Sequence, residues 1–345
     1  MANRGVTIAD VANKANVSKS TVSQYLNNRF EYMSEETRIR IQNVISELDY
    51  QPNIVARSLK MKSTSTIGVI VANILHAYST QVIRAIENVC NGNNISTIIC
   101  NSDDNPKKEK EYIETLLSKQ VDGLIILPTN GNYKLYQRLV KQEYPIVFLD
   151  RLVEGISTDV VLLDNEKAST IAVEHFVEQG YKDIAIVTTS IIDNITPRIE
   201  RINGYKNALK KNDLIVNPDY IVAMELDSLD RGLDKVFSLD KKPDAIISGN
   251  DLTLMEILKY ASKQDLKVGE DFGLITIDEV SFSSFHSPTL TTIAQPTLEM
   301  GTEAAEILLS KIINKKPEKS PKLHRHEPLL IIRESTKEKK HFRDI

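Results

Sequence analysis

The stretch TIADVANKANVSKSTVSQYL, residues 7–26, decides the fold of the N-terminal part of the chain. Thr7 and Asp10 form a capping pattern, in which the hydroxyl can accept from an early helix N–H and Asp10 lies near the positive end of the helix dipole. Apolar residues then recur at helical spacing up to Ala15, and Ser18 can cap a second helix after a short break. Two short helices with a tight break between them are typical of a helix-turn-helix.

A third helix is predicted after Ser34, and the second helix should carry the recognition surface. The third helix has an apolar stripe that we expect to be buried: Ile39, Ile41, Val44, Ile45 and Leu48. The second helix shows hydrogen-bonding side chains opposite its apolar face: Lys19, Ser20, Thr21, Gln24 and Asn27. Such side chains can reach base edges in the major groove of DNA. On this pattern alone, a small helical domain with a merely polar surface is the alternative.

Charge is unevenly distributed along the 345 residues, which are enough for two or three domains. Residues 1–62 carry nine Lys and Arg against six Asp and Glu, a net charge of +3. The whole chain carries −4, which leaves −7 for the remainder. A basic head on an acidic body suits a protein whose head faces DNA.

The motifs of the head occur in the order and spacing of the LacI/GalR family of repressors, which this chain resembles over nearly its whole length. The segments are TIADVA (7–12), VSKSTVS (17–23), TR (37–38), LDYQPN (48–53) and VARSL (55–59). The resemblance implies that Lys19 and Ser20 set base preference, with Thr21 and Gln24 on the same reading face. Gln24 stands where Arg or His is frequent, so it can pair with adenine in place of a guanine contact.

The resemblance also implies contacts to the DNA backbone and a hinge. Four side chains match phosphate-facing positions, which fix register without reading sequence: Thr7, Ser18, Asn27 and Tyr50. Residues 53–60 match a hinge helix that contributes Asn53, Ala56 and Leu59 to DNA binding, with Leu59 as a wedge in the minor groove. A plain apolar residue on a short helix is the simpler interpretation of Leu59. Because so short a helix is unstable alone, we expect it to fold when two copies meet on DNA.

From residue 67 the pattern changes to short apolar runs that alternate with amphipathic stretches. Ten runs are predicted strands: 67–72, 96–100, 123–127, 146–149, 160–163, 184–188, 221–224, 245–248, 274–277 and 291–294. The clearest helical stretches between them are 79–90, 106–119, 167–179 and 198–211. Apolar strands separated by helices predict parallel sheets covered on both faces, and the number of strands is too high for one small sheet. We therefore predict a small all-α head joined to an α/β body of two doubly wound parallel-sheet subdomains.

The body resembles the periplasmic-binding-protein-like part of the same family, through segments such as VDGLI (121–125), FLDR (148–151) and GND (249–251). The boundaries implied are a head at 1–60, a linker at 61–66 and an effector-binding body at 67–333. Within the body we expect an N-subdomain at about 67–163 plus 294–325 and a C-subdomain at about 164–293 plus 326–333. The tail, 334–345, is charged and lacks apolar heptads, so a homodimer without a tetramerising coiled coil is expected.

Polar residues at strand ends are the candidates for effector binding, because ligands of open parallel sheets bind beyond the carboxyl ends of the strands. Four side chains follow apolar runs: Asp150, Asn250, Asp278 and Gln295. By resemblance these four and Arg201 match effector-contacting positions, and Tyr78 matches an aromatic wall. Ordinary capping of a strand end by Asp or Asn is the alternative for any single residue.

Arg198 and Arg201 lie three residues apart and hence on one helix face. Arginine pairs bidentately with carboxylate or phosphate, so the pair favours an anionic effector such as a sugar acid or a phosphorylated sugar. The segment STVSQYL, residues 20–26, also resembles the branch that regulates the use of 2-keto-3-deoxygluconate and uronates. A neutral sugar is the alternative, with Glu200 balancing the charge of the two arginines.

The sequence contains no catalytic constellation. It has no phosphate-binding glycine-rich loop and no Gly-x-Ser-x-Gly elbow, and His324-x-His326 lacks the partners of a metal site. The carboxylates of Asp103 and Asp104 resemble solvated or capping charges. We expect no enzymatic activity, no cofactor and no bound metal. With neither a secretion signal nor a membrane span we expect a cytoplasmic protein. A transport-binding protein would share the body but carry a signal peptide and no helix-turn-helix.

Together these features predict a DNA-binding repressor of carbohydrate-utilisation genes that a small effector controls by allostery. A homodimer would place two heads on a pseudo-palindromic operator. Effector closure of each cleft would then change whether the paired hinge helices form. Release from the operator is the expected outcome, and corepression is the alternative. Coupling must be reciprocal, so operator DNA should change effector affinity by the same factor.

Overall fold

The structure is a computed structural model that describes residues 6–51, 63–192, 194–314 and 320–338. The chain separates into two compact units, a head that ends at Thr64 and a body that begins at Ser65. The predicted hinge helix, 53–60, lies outside the described residues, as do residues 61 and 62 of the predicted linker and 339–345 of the predicted tail.

Three helices are described in the head: α1 (Ile8–Lys14), α2 (Lys19–Leu26) and α3 (Glu35–Glu47). α2 and α3 begin after a serine, because its hydroxyl satisfies an N–H group that has no partner inside the helix. Ser18 Oγ accepts from Thr21 N at 3.0 Å, and Ser34 Oγ accepts from Thr37 N at 3.3 Å. The cap predicted at Ser18 is therefore present, and Ser34 caps α3 in the same way.

The N-terminus of α1 is held by the predicted capping pair. The Thr7 N–H donates to Asp10 Oδ2 at 2.8 Å, and the Thr7 hydroxyl donates to the same oxygen at 2.6 Å. The carboxylate thus serves an otherwise unpaired backbone donor at the positive end of the helix.

The core of the head is small and takes one face from each helix. Its buried members are Val11, Ala12, Ala15, Val22, Ile41, Val44 and Tyr50. The predicted apolar stripe of α3 is wrong at Ile39, whose side chain is 50% exposed. Ile39 and Ile41 are two residues apart, a spacing that places them on different faces of a helix, so only Ile41 reaches the core.

The first sheet of the body lies in the N-subdomain. Its strands are β1 (Thr66–Val71), β2 (Ser96–Asn101), β3 (Gly123–Ile126), β4 (Ile146–Leu149), β5 (Asp159–Leu163) and β11 (Leu323–His326). They pair in parallel in the order β11-β5-β4-β3-β1-β2. The helices of this half are α4 (Ala77–Gly92), α5 (Pro106–Ser118), α6 (Tyr133–Lys141) and α11 (Thr297–Asn314). α11 packs on α4 and on β3, β4 and β5.

The second sheet lies in the C-subdomain. Its strands are β6 (Ile184–Thr189), β7 (Ile221–Met224), β8 (Ala245–Ser248), β9 (Gly273–Ile277), β10 (Thr291–Ala294) and β12 (Leu329–Ile331). The order is β12-β10-β9-β8-β6-β7, parallel except for the pairing of β12 with β10. Its helices are α7 (Asn165–Glu178), α8 (Thr196–Lys211), α9 (Leu229–Phe237) and α10 (Asp251–Lys263). The predicted fold class is confirmed.

The chain passes between the sheets after β5, after β10 and after β11. Ala294 still belongs to β10 and His326 still belongs to β11, so the second and third crossings come slightly later than the sequence predicts. The sequence does not predict β11 or β12, which both lie at sheet edges and are partly exposed. β11 (LHRH) has no apolar run, and β12 (LLI) is only three residues long. Within the described ranges, no helix combines the length and apolarity needed to cross a membrane.

Candidate functional site

The surface of α2 carries the residues predicted to read bases. Lys19 and Ser20 are exposed at the start of the helix, and Thr21 and Gln24 are half-buried. The Ser18 hydroxyl, which caps the helix, also lies 2.6 Å from Ser20 Oγ and 2.8 Å from Thr21 Oγ1. α2 therefore presents one cation and several neutral hydrogen-bonding groups, a set that can serve phosphates and base edges.

The predicted phosphate-facing residues lie at helix ends and in the core of the head. Thr7 and Ser18 cap α1 and α2, and Asn27 ends α2, where its amide donates to Ser23 O at 2.7 Å. Tyr50 is only 8% exposed, and burial raises the pKa of its phenol. Its ring is thus part of the core, which leaves only the hydroxyl for a DNA contact. The hinge candidates lie outside the described residues: Asn53, Ala56 and Leu59.

The structure brings all seven effector candidates together around one cleft of the body. The seven lie along its wall: Tyr78, Asp150, Arg198, Arg201, Asn250, Asp278 and Gln295. Asp150 follows β4 of the first sheet, whereas Asn250 and Asp278 follow β8 and β9 of the second. The carboxyl ends of strands from both sheets therefore meet at this cleft, the position at which open parallel sheets bind ligands.

Asp278 is a buried carboxylate of the cleft. Its Oδ1 accepts from Gln295 Nε2 at 2.6 Å, and its Oδ2 accepts from the Asp251 N–H at 3.3 Å. Its backbone has a φ of 112°, a conformation that residues other than glycine rarely adopt. Burial raises the pKa of Asp278 to about 6, although Arg201 opposes the rise and Asp251 adds to it. A buried carboxylate of this kind can accept hydrogen bonds from ligand hydroxyl groups.

Arg201 is already supplied with acceptors inside the protein. It is buried, and its Nε donates to Asn165 Oδ1 at 2.8 Å while a second guanidinium nitrogen donates to Gly249 O. Glu200 does not balance Arg198 and Arg201, because it accepts two hydrogen bonds from Arg325, at 2.6 and 3.0 Å. The alternative in which Glu200 neutralises the arginine pair is therefore wrong.

Asp104 links arginines of both subdomains. Its Oδ1 accepts from Arg151 at 2.6 Å, and its Oδ2 accepts from Arg198 at 3.2 Å. Its neighbour Asp103 is exposed and pairs with Lys108 at 2.5 Å. The prediction of solvated or capping charges therefore fits Asp103 and is wrong for Asp104, which pairs with two arginines. The partners of Asp104 lie far along the chain, where no local pattern reveals them.

A second carboxylate crosses the cleft in the opposite direction. Asp251, the first residue of α10, accepts from His76 Nδ1 at 2.5 Å and from the Ala77 N–H at 2.7 Å. Burial opposes the charge of His76, but the hydrogen bond to Asp251 outweighs it and raises the pKa of the imidazole. The sequence missed both groups, because His76 and Asp251 are 175 residues apart.

Three buried polar atoms that belong to cleft residues have no hydrogen-bond partner in the part of the chain that the structure describes. They are Tyr78 Oη, Gln295 Oε1 and Arg151 Nε, and the last of these has an ion-pair contact with Asp150 Oδ2 at 3.5 Å. Buried polar groups are nearly always satisfied in folded proteins, and leaving one unpaired costs about 1–3 kcal/mol. The cleft therefore holds hydrogen-bonding capacity that a polar ligand can satisfy.

The histidine pair on β11 has an acidic partner that the sequence does not reveal. Glu303 of α11 lies 2.7 Å from His324 Nδ1 and 2.6 Å from His326 Nε2. Across the described ranges, no group of His, Cys, Asp and Glu side chains has an arrangement that could hold a metal ion. The two histidines thus anchor the edge strand to the helix.

Family models match both parts of the chain. Residues 7–53 match the model for bacterial regulatory proteins of the lacI family, and residues 173–336 match a periplasmic binding protein-like domain. The chain is 46% identical over 332 residues to a probable HTH-type transcriptional regulator, EndR, of Paenibacillus polymyxa, which covers 95% of this chain and 98% of that protein. It is 33% identical to the HTH-type transcriptional repressor PurR of Aliivibrio salmonicida, over the same shares of the two chains.

A solved structure supports the fold. The lac repressor dimer bound to operator and the anti-inducer ONPF superimposes with a TM-score of 0.80 at 24% identity, covering 97% of this chain and 100% of that one. At this identity the likeness speaks for the fold alone. The family models and this structure agree on one architecture, a helix-turn-helix head followed by a two-subdomain body.

Proposed function

The chain belongs to the LacI family of bacterial regulatory proteins, and on that premise we propose that it represses carbohydrate-utilisation genes under the control of a sugar-class effector bound in the cleft. It is a DNA-binding transcriptional repressor of this family and not an enzyme. The finer parts of the proposal are the effector, the residues that bind it, the regulated genes and the dimeric state.

The observation that carries the effector proposal is the set of buried, unpaired polar atoms in the cleft. Tyr78 supplies an aromatic wall with an unpaired hydroxyl. Asp150 and Asp278 can accept hydrogen bonds, and Asn250 and Gln295 can donate and accept them. A ring that carries several hydroxyl groups can bind all of these side chains at once. Its hydroxyl groups donate and accept hydrogen bonds, and its apolar face can pack on the aromatic ring. Binding sites for small molecules commonly combine such groups in one concave pocket.

Two versions of the effector follow from the charges of the cleft. The spacing of Arg198 and Arg201 favours a sugar acid, such as 2-keto-3-deoxygluconate. Both guanidinium groups, however, already donate to acceptors of the protein, which favours a neutral sugar. In either version, residues of both subdomains line the cleft, so a bound ligand would contact both of them. Binding can therefore shift the two subdomains relative to each other.

The DNA half of the proposal rests on the capped recognition helix. We propose that a homodimer binds a pseudo-palindromic operator in the cytoplasm, with Lys19, Ser20, Thr21 and Gln24 reading bases. The hinge helix, 53–60, and its contacts remain predictions from the sequence. Effector binding is proposed to release the repressor from its operator, as an inducer does. A corepressor would strengthen operator binding instead.

Operator selection followed by effector titration tests the proposal. A library of pseudo-palindromic duplexes is enriched on the full chain, and the affinity for the best duplex is measured with a panel of sugars and sugar acids. Several salt concentrations are needed, because non-specific DNA binding falls steeply with salt. We expect one class of compound to weaken operator binding. The absence of any tight palindromic site would overturn the proposal in favour of a sensor that acts on another partner.

A further inference from the structure

We propose that Asp104 is a positioning residue that sets effector specificity: by occupying Arg151 and Arg198 it disfavours ligands with a carboxylate and reserves the cleft for neutral polyhydroxylated ones. The inference rests on the proposed function, because it concerns the same cleft. It narrows the effector class that the sequence leaves open between acidic and neutral sugars.

The loop after β2 holds Asp104 firmly in place. The Asp104 N–H donates to Ala72 O at 2.7 Å, and Ala72, which follows β1, lines the cleft. Asp103 and Asp104 both have left-handed backbone conformations, with φ of 52° and 53°. Such conformations are unfavourable for residues other than glycine and persist only where the surroundings enforce them. The backbone of Asp104 is therefore fixed at this position, and the hydrogen bonds from Arg151 and Arg198 hold its carboxylate.

Asp104 occupies one guanidinium from each side of the cleft. Arg151, on the N-subdomain, is buried and has a second carboxylate near it, with Asp150 Oδ2 at 3.5 Å from its Nε. Arg198, on the C-subdomain, divides its donors between Ser190 O at 2.8 Å and Asp104. Burial opposes the ionisation of Asp104, but Arg151 and then Arg198 outweigh it and lower the pKa of the carboxyl. Asp104 is thus an anion at neutral pH.

The charges around this end of the cleft balance without any ligand. Three arginines, Arg151, Arg198 and Arg201, face three carboxylates, Asp104, Asp150 and Asp278, and a fourth carboxylate, Asp251, is paired with His76. An acidic effector would bring a further negative charge into a poorly solvated site, or would have to displace a carboxylate that the loop holds in place. Either event is unfavourable, because a buried charge loses its hydration energy and has no opposite charge to offset that loss. A neutral sugar meets neither obstacle.

Removing the negative charge of Asp104 should reverse this preference. In Asp104→Asn, Arg151 and Arg198 keep their positions within one cleft but lose their shared anion. Two guanidinium groups would then offer donors to a ligand carboxylate, which they bind in a bidentate and charge-assisted manner. Asp103→Asn is the matched control, because it removes one negative charge from the neighbouring exposed residue and leaves both arginines paired.

The test measures binding of matched neutral and acidic probes to the full chain by titration calorimetry. The pairs are glucose with glucuronate and galactose with galacturonate, which share a pyranose ring and differ only at C6. We expect the wild type and D103N to bind the neutral member more tightly. In D104N the ratio of acidic to neutral affinity should rise by about tenfold or more, equivalent to about 1.4 kcal/mol. Asp104→Glu restores the carboxylate and should restore the preference for the neutral sugar. Such a recovery would show that the change in D104N comes from the missing charge and not from a loss of folding.

A second arm does not depend on the identity of the effector. Inorganic phosphate is added at constant ionic strength, and the unfolding temperature of each protein is followed by circular dichroism. Phosphate should raise the unfolding temperature of D104N more than that of D103N or the wild type, because a ligand stabilises the state that binds it. Asp104→Ser serves as a second variant with the same expectation, should D104N not fold.

The two arms separate the possible failures. A response to phosphate without binding of any sugar would support the role of Asp104 and contradict the proposed effector class. A shifted affinity ratio supports both. If D104N and D104S match D103N in the affinity ratio and in the phosphate response, the inference about Asp104 is overturned.

Discussion

Replacing Asp278 with Asn should remove a distinct pH dependence from the stability of the body. Burial raises the pKa of Asp278 from 3.8 to about 6, so the folded protein binds this proton more tightly than the unfolded chain does. The resulting stabilisation is complete below 3.8, amounts there to about 3 kcal/mol, and is lost as pH rises through 6. Between pH 8 and pH 5 the wild type should therefore gain about 1.4 kcal/mol relative to Asp278→Asn.

The same substitution should stabilise the body at pH 8. There the variant avoids the cost of a buried anion, about 3 kcal/mol, and loses the hydrogen bond from the Asp251 N–H, worth about 1 kcal/mol. We expect it to be more stable than the wild type by about 2 kcal/mol at pH 8. The variant should also lose effector affinity, because Asp278, whose buried charge destabilises the body, is a residue that we propose binds the ligand.

Urea unfolding followed by far-ultraviolet circular dichroism at pH 5, 6, 7 and 8 measures both quantities. Glu109, whose pKa is raised by burial, is present in both proteins and cancels in the difference. His76 cancels only in part, because the charge of Asp278 contributes to the rise of its pKa. Asp240→Asn, at an exposed position of the same subdomain, controls for the loss of one negative charge. A difference that stays constant from pH 8 to pH 5, or a variant less stable than the wild type at pH 8, would refute the reasoning.

Three further predictions concern the head, the helix packing and base reading. Ser18→Ala removes the cap of α2 and should lower the stability of the head by about 1 kcal/mol, visible as faster amide hydrogen exchange in α2 but not in the body. Gly204→Ala should cost about 3 kcal/mol or more in thermal unfolding, because a Cβ there would lie 2.2 Å from Glu166 O; Gly92→Ala, with no atom within 4 Å, should be neutral or stabilise by up to about 1 kcal/mol. Gln24→Ala should reduce discrimination at one operator base pair by about 1–3 kcal/mol without changing the salt dependence, as measured by competition with single-base operator variants.

The parts of the fold that the sequence predicts are those set by local chemistry. Serine caps mark the starts of α2 and α3, and central strands such as β3 and β4 are fully buried, so each appears as an unbroken apolar run. β11 has the sequence LHRH, because a strand at the sheet edge has one side free for polar residues. Its strand character depends on pairing with β5, more than a hundred residues earlier, which no local pattern records.

The cleft was partly predictable for a related reason. The ends of parallel strands converge, so the polar residues that follow them could be placed together, and the family resemblance selected which ones. The sequence did not indicate a role for Asp104 or His76, because their hydrogen-bond partners are distant in sequence and come close only in the folded chain. Arg151 and Asp251 each stand directly after a predicted site residue, and that adjacency was the signal that could have found them.

The central claim is that one ligand-filled cleft controls DNA binding by the head. Its most direct test is a thermodynamic cycle with the selected operator and a sugar that binds the cleft, in which operator affinity is measured with and without the sugar and sugar affinity with and without the operator. We predict that the sugar weakens operator binding by about tenfold or more and that the operator weakens sugar binding by the same factor, since coupling is reciprocal. A sugar that binds the wild type but not Asp278→Asn, and that leaves operator affinity unchanged, would contradict the account.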